Sequence, residues 1–179
     1  MIPVFLADGF EEIEALATVD ILRRAGVNVI TVGVGNKMPV GAHGISVCAD
    51  IEEKELILAE IDGIILPGGM PGTTNLEASE IVQNAVAYAV ERHLMVAEFC
   101  AATSILGHAG YLYGKRATCY PGFEQDLTDA IIDRAGVVVD DNFITASGAG
   151  VAVDFSLELV RYLVSVEADD KIREGIQWR

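Results

Sequence analysis

Short apolar runs recur along this chain, each followed by a turn and then by a helical pattern, and that alternation limits what it can fold into. Ile2 to Leu6, Val27 to Val34, Gly63 to Leu66 and Leu94 to Phe99 read as strands. Pro3 must lie at the start of the first strand or away from a needed donor. Between and after the strands, Glu11 to Ala25, Leu76 to Arg92, Ala101 to Ala109 and Val151 to Val164 read as helices, with a short final one over Asp169 to Gln177. On the first helix, Ile13, Leu16, Ala17, Ile21 and Ala25 fall on one face, and Gly26 supplies the stop. The stretch from Gly33 to Gly44 reads as an excursion marked by glycine turns. A minor strand is expected near Ile45 to Cys48 and a brief helix over Glu52 to Ala59. Val137 to Val139 and Phe143 to Ala146 flank Asp140-Asp141-Asn142, a hairpin signal. Repeated βα units predict an α/β fold with a mostly parallel sheet and helices on both faces. Ligands of such sheets bind beyond the carboxyl ends of the strands.

The chain of 179 residues is read as a single domain, 1–179, and half of it is apolar, enough for a substantial core. With 12 basic against 27 acidic residues the net charge is −15. That disfavours nonspecific binding to nucleic acid or an anionic membrane. No run approaches the roughly 18 apolar residues of a membrane span, and the opening strand leaves no visible signal peptide. Three cysteines, Cys48, Cys100 and Cys119, leave at least one unpaired, which fits a reducing cytoplasm better than a disulfide scaffold.

Cys100 carries the chemistry of this reading. It sits where Leu94 to Phe99 turns directly into a helix. At that turn a sulfur points out of the sheet toward unpaired helix N–H groups, which favour an anion. Surroundings of this kind lower a thiol pKa from about 8.5 to roughly 3.5–7.5. Glu11, Glu12 and Glu14 follow the first strand and Gly68-Gly69 follow the third, so the fold brings all of these to one end of the sheet.

Gly9-Phe10-Glu11-Glu12-Ile13-Glu14, Leu66-Pro67-Gly68-Gly69, Ala97-Glu98-Phe99-Cys100-Ala101-Ala102 and Gly114-Lys115-Arg116-Ala117-Thr118-Cys119-Tyr120-Pro121 resemble, in order, the signature segments of the ThiJ/PfpI superfamily. They are most similar to its branch containing the Parkinson-disease-associated protein deglycase. The resemblance covers nearly the whole chain. It implies a flavodoxin-like three-layer sandwich, usually a homodimer, with an oxidation-prone Cys at a nucleophile elbow. Cys100 matches that Cys, and Glu14 matches the acid that hydrogen-bonds it. Gly69 and Ala101 match positions whose amides face the sulfur or a bound oxyanion, with Gly68 beside them. A protonated Glu14 would favour a Cys100 thiolate and shuttle a proton in carbonyl chemistry. No metal or cofactor is required. Glu11 and Glu12 are read as structural. Cys119 is read as structural too, as is Cys48, which aligns with a dimer-proximal Cys of some relatives.

Four departures matter. Ala101 stands where the intracellular-peptidase branch has His, which disfavours a Cys–His dyad. Tyr120 stands where several relatives have His; it would bind substrate but make a poor base. Ser147-Gly148-Ala149-Gly150 replaces a common Arg-Gly-Pro-Gly run and removes a positive charge. Glu98 stands where Ala is usual, and a buried carboxylate needs a partner or a proton, with Arg24 a candidate. His43, His93 and His108 lack ligand spacing among themselves. The leading expectation is a deglycase or glyoxalase acting on α-oxoaldehydes, as small carbonyl compounds or glycated adducts. The alternative is a redox sensor or chaperone-like stress protein that uses Cys100 oxidation. An amidohydrolase or peptidase comes third.

Overall fold

The computed structural model describes residues 1–178. Its core is a seven-stranded sheet. The strands are β1 (Ile2–Leu6), β2 (Val29–Gly33), β3 (Ile51–Glu52), β4 (Gly63–Leu66), β5 (Met95–Phe99), β8 (Val137–Asp140) and β9 (Phe143–Ala146). A separate parallel pair, β6 (Arg116–Ala117) and β7 (Ile131–Ile132), lies outside it. The sheet order is β3-β2-β1-β4-β5-β9-β8. All neighbours are parallel except β8, which runs antiparallel to β9 through the expected hairpin. β1 and β4 are paired although far apart in sequence, so the strand order reverses there. A crevice at such a reversal is where α/β sheets hold ligands.

Helices cover both faces, as expected for a flavodoxin-like α/β sandwich. On one face α1 (Glu12–Arg24), α5 (Ala152–Leu163) and α6 (Val166–Gly175) close over Val4, Leu6, Ile65, Ala97 and Phe99. On the other, α2 (Gly72–Ala78), α3 (Glu80–Glu91) and α4 (Thr103–His108) close over Phe5, Val32, Ile64, Leu66 and Val96. Alternate residues of β5 enter opposite layers, as the period of a strand requires. Central strands buried on both faces explain the uninterrupted apolar runs in the sequence.

Several local expectations are corrected. The helix expected over 76–92 is two helices. Ser79 ends α2 and caps α3, with its hydroxyl accepting from the Val82 amide at 3.4 Å. No strand forms over 45–48 beyond a single bridge from Val40 to Ser46, and the added strand is β3 instead. The expected helix over 52–59 is two single 3-10 turns, 53–55 and 58–60. The final helix starts three residues earlier, at Val166, where Ser165 caps it by accepting from the Ala168 amide at 3.2 Å. The buried face of α1 is also rotated from the apolar stripe read in the sequence. Glu14, Ala15, Thr18, Val19 and Leu22 point inward with Ile21, which was expected there, whereas Ile13 is 57% exposed. Polar pairing makes this possible, because the Thr18 and Ser156 hydroxyls meet at 3.0 Å between α1 and α5.

Candidate active site

The site starts with a backbone reversal. Phe99 is extended, and Cys100 then takes φ +56°, in the left-handed region. A 3-10 turn over Cys100–Ala102 leads into α4. Holding a side-chain-bearing residue there costs on the order of 1–3 kcal/mol, so the surroundings must enforce it. Two contacts do so. The Phe99 ring packs on Phe155 of α5 with centroids 3.8 Å apart. The Cys100 carbonyl accepts from the Tyr120 amide at 3.2 Å. The sulfur is left half-buried at the carboxyl end of β5.

Glu14 reaches this sulfur from the first turn of α1. Glu11 is the N-cap, and its Oε2 accepts from the Glu14 amide at 2.8 Å. Glu12, one residue on, is buried in a different direction. Its carboxylate accepts from the His43 amide at 2.7 Å and meets the His43 ring at 2.8 Å, which straps the 41–45 excursion onto α1. Both residues thus do structural work. Glu14 is 1% exposed. Its Oε2 accepts from the Gly68 amide at 2.8 Å. Its Oε1 has no conventional hydrogen-bond partner, and the Cys100 sulfur acts on the same carboxyl.

The glycines make this closeness possible. A Cβ on Gly68 would lie 2.7 Å from the Cys100 Cβ and 2.8 Å from Glu14 Oε2. Gly69 has φ +91°, and a Cβ there would stand 2.5 Å from the Glu11 amide nitrogen. Gly69 and Ala101 both offer backbone hydrogen bonds that favour a charged Cys100 sulfur. The structure therefore brings together Cys100, Glu14, Gly68, Gly69 and Ala101. It gives the Gly68 amide to the carboxyl of Glu14 rather than to the sulfur, a division of labour that a Gly-Gly pair does not disclose. Tyr120 stands at the rim, 51% exposed, with its ring beside Gly148.

The protonation order differs from the sequence expectation. Burial, and then the Glu14 carboxylate, push the Cys100 thiol up to about 12 against the Ala101 and Gly69 amides. Burial also raises Glu14, to about 7, against the Gly68 amide. The sequence shows the helix terminus and the acid but not the depth at which both lie. The arrangement is a neutral thiol beside an acid that titrates near neutrality, so Glu14 is placed to accept a proton from the sulfur.

Glu98 is fully buried on β5, and neither carboxylate oxygen has a hydrogen-bond partner by geometry. Arg24 is not its partner and pairs instead with Asp20 at 2.7 Å. Burial raises the Glu98 pKa well above the ordinary value, with the Leu106 amide opposing and Glu77 reinforcing. Burial therefore favours the neutral form of Glu98, on the sheet face opposite α1. Cys119 is buried, and burial followed by Glu124 and Asp126 push its thiol up to about 11. Cys48 is exposed. Among the described residues, the one group with metal-ligand spacing is Glu11, Glu12 and His43, within 4.8 Å of one another. The Glu12–His43 hydrogen bonds already occupy it.

The family model described as DJ-1/PfpI matches residues 1–162. Protein DJ-1 homolog B of Arabidopsis thaliana is 35% identical over 157 residues, 87% of this chain, but the chain spans only 36% of that longer protein. A deglycase from Pyrococcus abyssi is 31% identical over 89% of this chain and 97% of its own length. A glutathione-independent glyoxalase from Caenorhabditis elegans is 28% identical over 90% of this chain and 87% of its own. Among solved structures, a cysteine-to-alanine mutant of a DJ-1 superfamily protein from Salmonella typhimurium superimposes with TM-score 0.95 at 32% identity, covering 99% of this chain and 98% of that one. With the family match running through all the elements that build the elbow and the acid beside it, the chain belongs to the DJ-1/PfpI family.

Proposed function

We propose that this protein is a cofactor-independent deglycase or glyoxalase in which Cys100 is the nucleophile and Glu14 moves the protons. The observation that supports the reading is the buried Glu14 carboxyl beside the Cys100 sulfur at a strained elbow, with Gly68 left bare so that the two approach. With methylglyoxal, Glu14 takes the thiol proton as sulfur bonds to the aldehyde carbon, and the Gly69 and Ala101 amides hold the developing alkoxide. Glu14 returns that proton to the oxygen, which gives a hemithioacetal and leaves Glu14 ionised. Glu14 then removes the hydrogen from the former aldehyde carbon and a proton returns to the neighbouring carbon, which leaves a lactoyl thioester. Water breaks the carbon–sulfur bond, and lactate and the free thiol result. Methylglyoxal and one water become lactate, with no oxidant or reductant. With a hemiaminal adduct on an amine, sulfur displaces nitrogen at the former aldehyde carbon, the carbon–nitrogen bond breaks, and the thiol proton leaves with the amine through Glu14, which gives the same hemithioacetal.

The deglycase and glyoxalase relatives favour this class of chemistry. Peroxide sensing needs a thiolate, and the raised Cys100 pKa works against it. The assembly in this reading is a homodimer in the cytoplasm. Its support is the apolar edge of α1, where Ile13 is 57% exposed beside half-buried Leu16 and Ala17. No helix among the described residues is long and apolar enough to cross a membrane. The test is lactate release from methylglyoxal without glutathione. Wild type should turn over, and Cys100→Ala should lose at least about 100-fold. Full turnover by Cys100→Ala would remove the mechanism.

A further inference from the structure

A fully buried acid that the mechanism leaves unused stands two residues before the nucleophile. In the register of the sheet, Glu98 lies between Leu66 of β4 and Thr145 of β9, and its side chain enters the layer covered by α2, α3 and α4. Leu66 is apolar, and the Thr145 hydroxyl already accepts from the Thr118 amide at 3.0 Å. Among the described residues no cation pairs with Glu98, and neither of its oxygens has a partner within hydrogen-bond geometry. Burial raises its pKa well above the ordinary value; the Leu106 amide of α4 opposes that and Glu77 of α2 reinforces it. His108 of α4 faces Glu77 at 2.6 Å and Asp126 at 3.7 Å instead. Cys119, in the same layer, is a buried thiol pushed up to about 11 and brings no charge.

Glu98 and Leu106 bracket Cys100, one on the strand that enters the elbow and one on the helix that leaves it. α4 has six residues, and isolated helices shorter than about 12–15 residues are marginal, so its neighbours must seat it. The Glu77–His108 contact ties its end to α2. A Cβ on Gly107 would stand 2.2 Å from the Asp126 carbonyl oxygen, so the 3-10 turn over 124–126 closes on another side. Beneath it lies the buried layer that holds Ala102, Ile105 and Leu106. An uncharged carboxyl is tolerated in that layer. A carboxylate there would be dry, unpaired and subject to Glu77, a condition relieved by admitting water. The short helix is the part that yields, and φ +56° at Cys100 persists only while its surroundings enforce it.

We propose that Glu98 is a positioning residue for Cys100: uncharged, it lets α4 seat and keeps the elbow in shape, and on ionisation it lifts α4 and moves the sulfur away from Glu14. The inference rests on the reading of Cys100 as the nucleophile and adds an alkaline limit to the lower limit that Glu14 sets. It also gives a role to an acid that stands where Ala is usual.

The test follows the full chain from about pH 6 to about pH 10 by two readings. One is NMR of the backbone amides from Cys100 to Leu106 together with the side-chain carboxyl carbon of Glu98. The other is lactate release from methylglyoxal. In wild type the elbow amides should shift with the midpoint of the Glu98 carboxyl, and turnover should fall about tenfold per pH unit beyond it, as loss of one required proton demands. Glu98→Gln and Glu98→Met are uncharged at every pH and differ in shape, which guards against one of them failing to fold. Each should abolish both the shift and the fall, whereas a merely structural acid would leave the pH profile unmoved. A shift that survives both variants belongs to His108 and overturns the assignment. So does a Glu98 that stays protonated to the end of the range, or one whose ionisation coincides with global unfolding by circular dichroism. Absence of lactate release with the Glu98-linked shift intact would instead count against the chemistry proposed for Cys100 and leave the positioning role standing.

Discussion

Replacing Glu14 by Gln separates two accounts of the same thiol. In one, a protonated Glu14 donates to a thiolate, and Gln removes that support. In the other, a carboxylate and depth of burial hold the sulfur neutral, and Gln removes a repelling charge. The structure favours the second: burial and Glu14 push Cys100 up to about 12. At pH 7 such a thiol is far less ionised than an ordinary thiol near 8.5, which is ionised roughly one part in 30. Removing a like charge in close contact lowers a pKa by about 1–3 units, so Glu14→Gln should raise the thiolate fraction roughly 10- to 1000-fold. Burial is the larger cause and persists, so reactivity should stay below that of a free thiol. Turnover should move the opposite way and fall about 10²–10⁴-fold as the proposed general base is lost. The assay is iodoacetamide labelling of Cys100 against pH, read by peptide mass spectrometry in a Cys48→Ser background because Cys48 is exposed. In wild type, turnover should rise with pH through about 7 as Glu14 gives up its proton. Slower labelling in Glu14→Gln, or labelling and turnover falling together, would refute the argument.

Glu98 gives a stability prediction whose sign is opposite to that of a paired carboxylate. Its folded-state pKa is raised by burial, so its contribution is fully present below about 4.5 and is lost as pH rises toward the folded value. Glu98→Met should therefore stabilise the fold more at pH 7 than at pH 5; urea melts at pH 5 and pH 7 with no growing gain would contradict it. Gly68→Ala places a Cβ 2.7 Å from that of Cys100, so calorimetry should record a loss of about 1–3 kcal/mol, and turnover should drop about 100-fold through misplacement of the pair. Asp169 is 0% exposed and accepts from Arg161 and Arg173 at 2.8 Å each. Asp169→Asn should destabilise the α5–α6 contact by about 2–3 kcal/mol, reduced from the fully buried case because both arginines reach solvent; a chemical melt unchanged from wild type would show that the pair contributes nothing.

Legibility in the sequence followed the range of the forces involved. The long apolar strands, the parallel order implied by βα repetition and the hairpin at Asp140-Asp141-Asn142 depend on local pattern, and all are present. The excursion over 33–50 was not legible in detail. Its conformation is set by distant carboxylates, Asp8 accepting from the Val40 amide at 2.9 Å and Glu12 from the His43 amide at 2.7 Å, and no local periodicity encodes these. The inward face of α1 was misjudged for a related reason. Hydropathy places Ile13 inside, but the helix turns Glu14 and Thr18 inward because each meets a group from another element: the Gly68 amide at 2.8 Å and the Ser156 hydroxyl at 3.0 Å. The same distinction runs through the site. That Cys100, Glu14, Gly69 and Ala101 meet follows from their places after successive strands of one sheet. Where the proton resides does not, because it depends on how much water the completed fold leaves around two adjacent groups. A helix terminus offers the sulfur a small, fixed stabilisation of charge, whereas burial removes a larger one. In the mechanism proposed for Cys100 the elbow supplies the geometry for attack, and the burial of Glu14 sets the pH at which the attack begins.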